Sequence, residues 1–205
     1  MHDLDLFLAA PVATFLFIIT LITSIMAFKD QNLMDKFILN PYDTYHYKKY
    51  HTLLTSGLIH GNTIHLAFNM LTFYFFAFYL EAYFLGSWQF AVLYIVSLVL
   101  SDIPTLFKHK DSPQYYSLGA SGAISAVVLS IVMCKPDLTL RLFFAIPIPG
   151  WLFALAYIGY SYYASRNSRD NINHDAHLWG ALAGIVLTLL LKPTVLIGLQ
   201  RFIGM

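Results

Sequence analysis

From Phe7 to Phe28 the chain runs 22 residues without a charge. At 1.5 Å rise per residue, a helix of that length crosses a hydrocarbon core of about 30 Å. A secretory signal is the alternative for such a run, but it has no early Lys or Arg, is long, and lacks a small-x-small cleavage site after Ile25. We therefore read it as the first of a series. Further apolar runs follow at about 63–80, 88–106, 118–134, 150–165 and 176–191, separated by Glu81–Ser87, Lys108–Ser117, Lys135–Pro149 and Arg166–Asp175. The whole chain of 205 residues is 58% apolar and 11% charged. A soluble domain carries about 25% charge, and a soluble chain this short has too little interior for so much apolar surface. The expected fold class is all-α: a polytopic membrane protein, a bundle of six transmembrane helices at about 7–28, 63–80, 88–106, 118–134, 150–165 and 176–191, forming one domain over 1–205.

Other classes fall away quickly. Twelve basic against eleven acidic residues leave no electrostatic footprint for nucleic acid, and the lone Cys134 excludes a disulfide scaffold. There is no repeat or low-complexity tract, and no soluble domain is expected at either end. Between the first two runs, four Lys, four Tyr, Phe37 and Pro41 suit a segment lying at the membrane interface. Loops one, three and five hold eight Lys and Arg against four on the other side, which favours an external N-terminus.

Several runs are short and carry polar groups, which are costly in hydrocarbon, so each such group is a functional candidate. Three clusters stand out. His60-Gly-Asn-Thr-Ile-His65-Leu-Ala-Phe-Asn69 leads into the second run, where His65 and Asn69, four residues apart, share a helix face. A pair of interhelical hydrogen bonders is the structural alternative there. Gly119-Ala120-Ser121-Gly122 opens the fourth run. Gly119 lets the chain turn into the helix, Gly122 keeps bulk away from the hydroxyl, and unpaired N–H groups at a helix start can face an oxyanion. Ordinary small-residue packing is the alternative. In Ala176-His177-Leu-Trp-Gly180-Ala-Leu-Ala-Gly184, the residues His177, Gly180 and Gly184 form one stripe. A glycine stripe lets a neighbouring backbone approach, here expected at small residues such as Ala120, Ala123 or Ser125, and would carry His177 to a nucleophile as its base. Asp175 lies ~200° around the helix from His177 and is a poor orienting partner, so a dyad fits better than a triad.

Together these residues resemble the rhomboid family of intramembrane serine proteases. The resemblance covers about residues 51 to 184 and rests on His60-x4-His65-x3-Asn69, Glu81-x4-Gly86-Ser87, Gly119-Ala-Ser121-Gly122 and Ala176-His177-x2-Gly180-x3-Gly184 in that order. It implies a rhomboid-like bundle with Ser121 as nucleophile and His177 as general base. It implies His65 and Asn69, with backbone N–H groups, as oxyanion stabilisers, and a structural role for His60. The implied activity is endopeptidase cleavage of transmembrane protein substrates in the lipid bilayer, with no cofactor, no metal and no nucleic acid. The implied location is the cell (inner) membrane of a bacterium. The sequence departs from the family in three places. His51-Thr52 stands where the family often has Trp-Arg. The cation count opposes the family's usual cytoplasmic N-terminus. Many members carry, four residues after the serine, an aromatic packed on the histidine ring; here that residue is Ser125, so another group must orient His177.

Because hydrolysis needs water, a polar cavity is expected near the starts of the second, fourth and sixth runs. Two rival readings remain: a non-catalytic rhomboid-like protein that binds client transmembrane helices, and a His-rich metal-binding membrane protein. Against the latter, no His-Glu-x-x-His occurs and no Cys pairs with His at ligand spacing.

Overall fold

The computed structural model describes residues 3–142 and 145–204. The protein is predominantly helical. Two segments, α1 (Asp3–Ala9) and α2 (Pro11–Ala27), are followed by three short helices, α3 (Gln31–Phe37), α4 (Pro41–His46) and α5 (Thr52–Thr55). The larger helices are α6 (Thr63–Leu80), α7 (Ser87–His109), α8 (Ser121–Cys134), α9 (Gly150–Asn167) and α10 (His174–Leu191), with α11 (Val195–Phe202) at the end. The apolar runs thus fall on helices, the first of them on two. Three stretches, Thr63–Leu85, Ser87–His109 and His174–Leu191, have the length and hydropathy to cross a membrane, and α2 and α8 are shorter apolar helices. Large apolar side chains face outward: Phe15, Phe68, Leu155 and Leu190 are 64–70% exposed. An apolar exterior of this kind suits lipid and not water.

The first run is not one helix. It breaks at Ala10, whose backbone leaves the helical region, with Pro11 at the start of α2. Proline has no N–H to give to the Phe7 carbonyl; the Thr14 hydroxyl instead lies 2.8 Å from both the Phe7 and the Ala10 carbonyls, which share its proton. The next two amides are taken by a distant side chain. Glu81, 1% exposed at the end of α6, accepts from Val12 N at 3.1 Å and Ala13 N at 2.6 Å. A carboxylate at the N-terminal end of a helix satisfies its orphan donors and meets its positive dipole end.

The separator after α8 also departs from expectation, since it holds an antiparallel hairpin, β1 (Thr139–Leu142) with β2 (Ile146–Pro149). Pro147 and Pro149 alternate with Ile146 and Ile148, so both prolines can face the unpaired edge where no N–H is needed. The all-α expectation therefore holds for the bundle and misses this ribbon.

At the centre lies α8, buried without interruption from Gly122 to Val132. It packs against α10 along the predicted glycine stripe, but the facing residues are Gly122 and Ala126. A Cβ on Gly180 would fall on the Gly122 carbonyl, and one on Gly184 would sit 2.5 Å from Ala126 Cα. The expected partners Ala123 and Ser125 are one position off this seam, and Ala120 two. Farther along, the Thr188 hydroxyl lies 2.7 Å from Ser130 Oγ, extending the stripe.

Candidate active site

Where α6, α8 and α10 begin, they border one cavity of about 1040 Å³. Ser121, His177, His65 and Asn69 all line it. Each owes its position to the start of its own helix. On α6, the Asn62 side chain caps the helix by accepting from His65 N at 2.8 Å. On α10, Asn173 Oδ1 accepts from Ala176 N at 3.0 Å, while its amide nitrogen donates to Ser117 Oγ at 2.9 Å and to Thr105 Oγ1 at 3.1 Å. That one side chain ties the start of α10 to α7 and to the segment leading into α8, and so fixes the turn carrying His177.

By contrast, no side chain caps α8, whose N-cap is Ala120. Its first amides, from Ser121 onward, have no acceptor of their own helix. Gly119 enters with φ +111°, a left-handed conformation that L side chains rarely adopt. Space is equally short there: a Cβ would lie 2.7 Å from His65 Cε1 and 3.8 Å from Asn69 Nδ2. The donors of α6 therefore sit directly against the turn that presents Ser121. On the other side, a Cβ on Gly122 would overlap the Ser101 side chain of α7 and lie 3.4 Å from the Ala176 carbonyl.

Among the described residues no hydrogen bond joins Ser121 Oγ to the His177 ring. The ring is bounded instead by two aromatics. Tyr157 of α9 stacks on it with centroids 6.4 Å apart and planes 25° from parallel, and His174 meets it edge-on at 5.9 Å. Asp175 points away, paired with Lys108 at 2.5 Å, as its place on the helix required. Asp170, on the cavity rim, lies 3.1 Å from His174 Nε2. Hydrogen bonds from the Ser168 side chain and the Ile172 amide, with the His174 contact, pull its carboxyl down to about 2.

His60 is wholly buried beside the site, its ring 4.9 Å from that of His65. The Ser24 hydroxyl gives its one proton to the Leu58 carbonyl at 3.0 Å, so His60 Nδ1, 2.9 Å away, must be the donor to Ser24 Oγ. His60 thereby links α2 to the loop before α6.

Several lining residues escaped the sequence reading. Asp102 is an acid inside an apolar run, 6% exposed and on the cavity wall, and its charge alone should have flagged it. Asn173 carries an ordinary N-cap signal three residues before Ala176. Tyr157 carries none, being one of several tyrosines in its helix. Among the described residues no three His, Cys, Asp or Glu side chains gather as a metal site.

A family model described as Rhomboid domain matches residues 47–194, most of the chain and all of this site. The chain belongs to the rhomboid family. It is also 35% identical over 77 residues to RHOMBOID-like protein 12, mitochondrial, of Arabidopsis thaliana, a match taking in 38% of this chain. The matched region spans 23% of that relative's length. The rhomboid domain, with its apolar helices, makes this a membrane protein.

Proposed function

We propose that this rhomboid protein is an intramembrane serine endopeptidase acting through a Ser121–His177 dyad on transmembrane substrates, as a single domain of six spans. What carries the reading is the meeting of four polar side chains from three helices around one cavity. The membrane proposed is a bacterial inner membrane.

The chemistry follows from the residues. Ser121 Oγ attacks the scissile carbonyl carbon while its proton passes to a ring nitrogen of His177. The carbonyl oxygen becomes an oxyanion facing the uncapped amide at Ser121, a ring N–H of His65 and the Asn69 amide. Collapse breaks the C–N bond, and His177 returns the proton to the leaving amine. Water then attacks the acyl-serine, giving its proton to His177, and Ser121 recovers its hydroxyl proton as the acid leaves. An α8 of 14 residues rises about 21 Å, less than a hydrocarbon core of about 30 Å, so its start can lie below the membrane surface. The cavity then supplies the water that the bilayer does not.

The missing Ser121–His177 hydrogen bond favours a second reading, a non-catalytic protein that holds client helices in the same cavity. Catalytic hydrogen bonds are often long without substrate, so the protease reading stands beside it. Incubating the purified protein, and its Ser121→Ala and His177→Ala forms, with a fluorogenic transmembrane substrate separates them. The protease reading expects cleavage by the wild type that both substitutions abolish; cleavage that survives in Ser121→Ala, or none in the wild type, overturns it.

A further inference from the structure

We infer that Tyr157 is the positioning residue of His177, anchored by Ser125, so that α9 supplies part of the catalytic apparatus. This rests on the reading of His177 as the base.

No hydrogen bond among the described residues ends on the His177 ring, so its orientation must come from contact. Tyr157 provides the face-on part of that contact, stacked at 6.4 Å and 25°, within the centroid range of about 4.5–7 Å at which aromatic pairs attract, while His174, on the same helix as His177, meets the ring edge-on at 5.9 Å. Behind it, Phe153 stacks on Tyr157 at 5.6 Å and 16°, making a column of three rings. The column is fixed at its middle. The Ser125 hydroxyl donates to the Ser121 carbonyl at 2.8 Å, which uses its single proton. Tyr157 Oη, 2.6 Å from Ser125 Oγ, is therefore the donor in that contact. An unbroken path results, from the Ser121 backbone through Ser125 and Tyr157 to the imidazole. It joins the residue bearing the nucleophile to the base by a route that bypasses the α8–α10 seam.

The path also accounts for the small residue at position 125, which is buried against α9 where a large side chain would occupy the space of the Tyr157 ring. And it makes the base depend on a lightly held helix, because α9 buries only Gly150, Ser161 and Ala164.

The test pairs two measurements on detergent-solubilised protein: NMR of ¹³C-labelled histidine, with the His177 signal assigned through His177→Gln, and cleavage of the fluorogenic transmembrane substrate. In Tyr157→Leu the His177 signal is expected to broaden or split as the ring gains rotamers, with a roughly tenfold fall in kcat at unchanged KM. Tyr157→Phe keeps the ring but loses the bond to Ser125, so it should retain a single sharp signal with a rate about two- to threefold down. Ser125→Ala, which removes the same bond, should match it. A single sharp His177 signal in Tyr157→Leu overturns the inference even if kcat falls, as does a Tyr157→Leu kcat equal to wild type. Should Tyr157→Leu not fold, Tyr157→Met is read by the same criteria. A wild-type protein that cleaves nothing removes the protease reading, and the line shape alone then decides whether Tyr157 holds the ring.

Discussion

At the scale of single residues, the site is a matter of what is absent as much as what is present. Gly119 leaves room for the His65 ring, and a methyl there would both strain a backbone at φ +111° and press on Cε1. Gly119→Ala should cost about 1–3 kcal/mol of stability and lower kcat further than that loss explains, checked by melting temperature and kinetics on one preparation. Asn69 faces the same turn. If it serves the oxyanion, Asn69→Ala lowers kcat by about ten- to a hundredfold with little change in KM or melting temperature. A destabilised protein whose folded fraction cleaves normally would assign Asn69 to the fold alone. Asp170 offers a pH prediction. Its carboxyl is held at about 2, below the ordinary range, so its stabilisation is complete above the unfolded value and is lost only as pH falls toward about 2. The melting-temperature gap between wild type and Asp170→Asn should therefore persist down to about pH 4 and close below it.

At the scale of elements, the α8–α10 seam brings two backbones together. Gly180 meets the Gly122 carbonyl, next to Ser121, and lies three residues from His177. Gly180→Leu should abolish cleavage by prising His177 from Ser121, although leucine suits lipid; an active, stable Gly180→Leu enzyme would show that the seam does not set the dyad. Much of this was legible in the sequence, because small residues at helical spacing leave few other packings. The exact partners were not, since a stripe fixes its own face and leaves the neighbour's register open. The break before Pro11 had a local signal in the proline itself, outweighed by the uncharged run around it. The hairpin at Thr139–Leu142 and Ile146–Pro149 was hidden because two four-residue strands, the second with alternating proline, look like any loop. Tyr157 and His177, twenty residues apart on different helices, meet only in the folded bundle, so no spacing rule could pair them.

At the scale of the whole molecule, the chain is a helical bundle with an apolar exterior, an apolar core and one cavity bordered by polar side chains, an arrangement whose membrane class could be read from composition but whose closure could not. Glu81 is the clearest case: its spacing to Gly86 was visible, its bond to α2 was not. Glu81→Gln keeps one acceptor for the α2 amides and exchanges the other for a donor, so it should cost about 1–3 kcal/mol, seen as a lower melting temperature in detergent. An unchanged melting temperature would mean that the cap contributes nothing. The same contact has a consequence in time. The amide of Ala13 leaves the ribosome 68 residues before the side chain that receives it. At about 5–20 residues per second, that is a wait of about 3–14 s. During this interval the start of α2 has an unpaired amide in a setting that tolerates few, so α2 is completed only once α6 has been made. Nascent chains stalled before residue 81 should expose the Ala10–Pro11 break to protease, and chains stalled well past it should not.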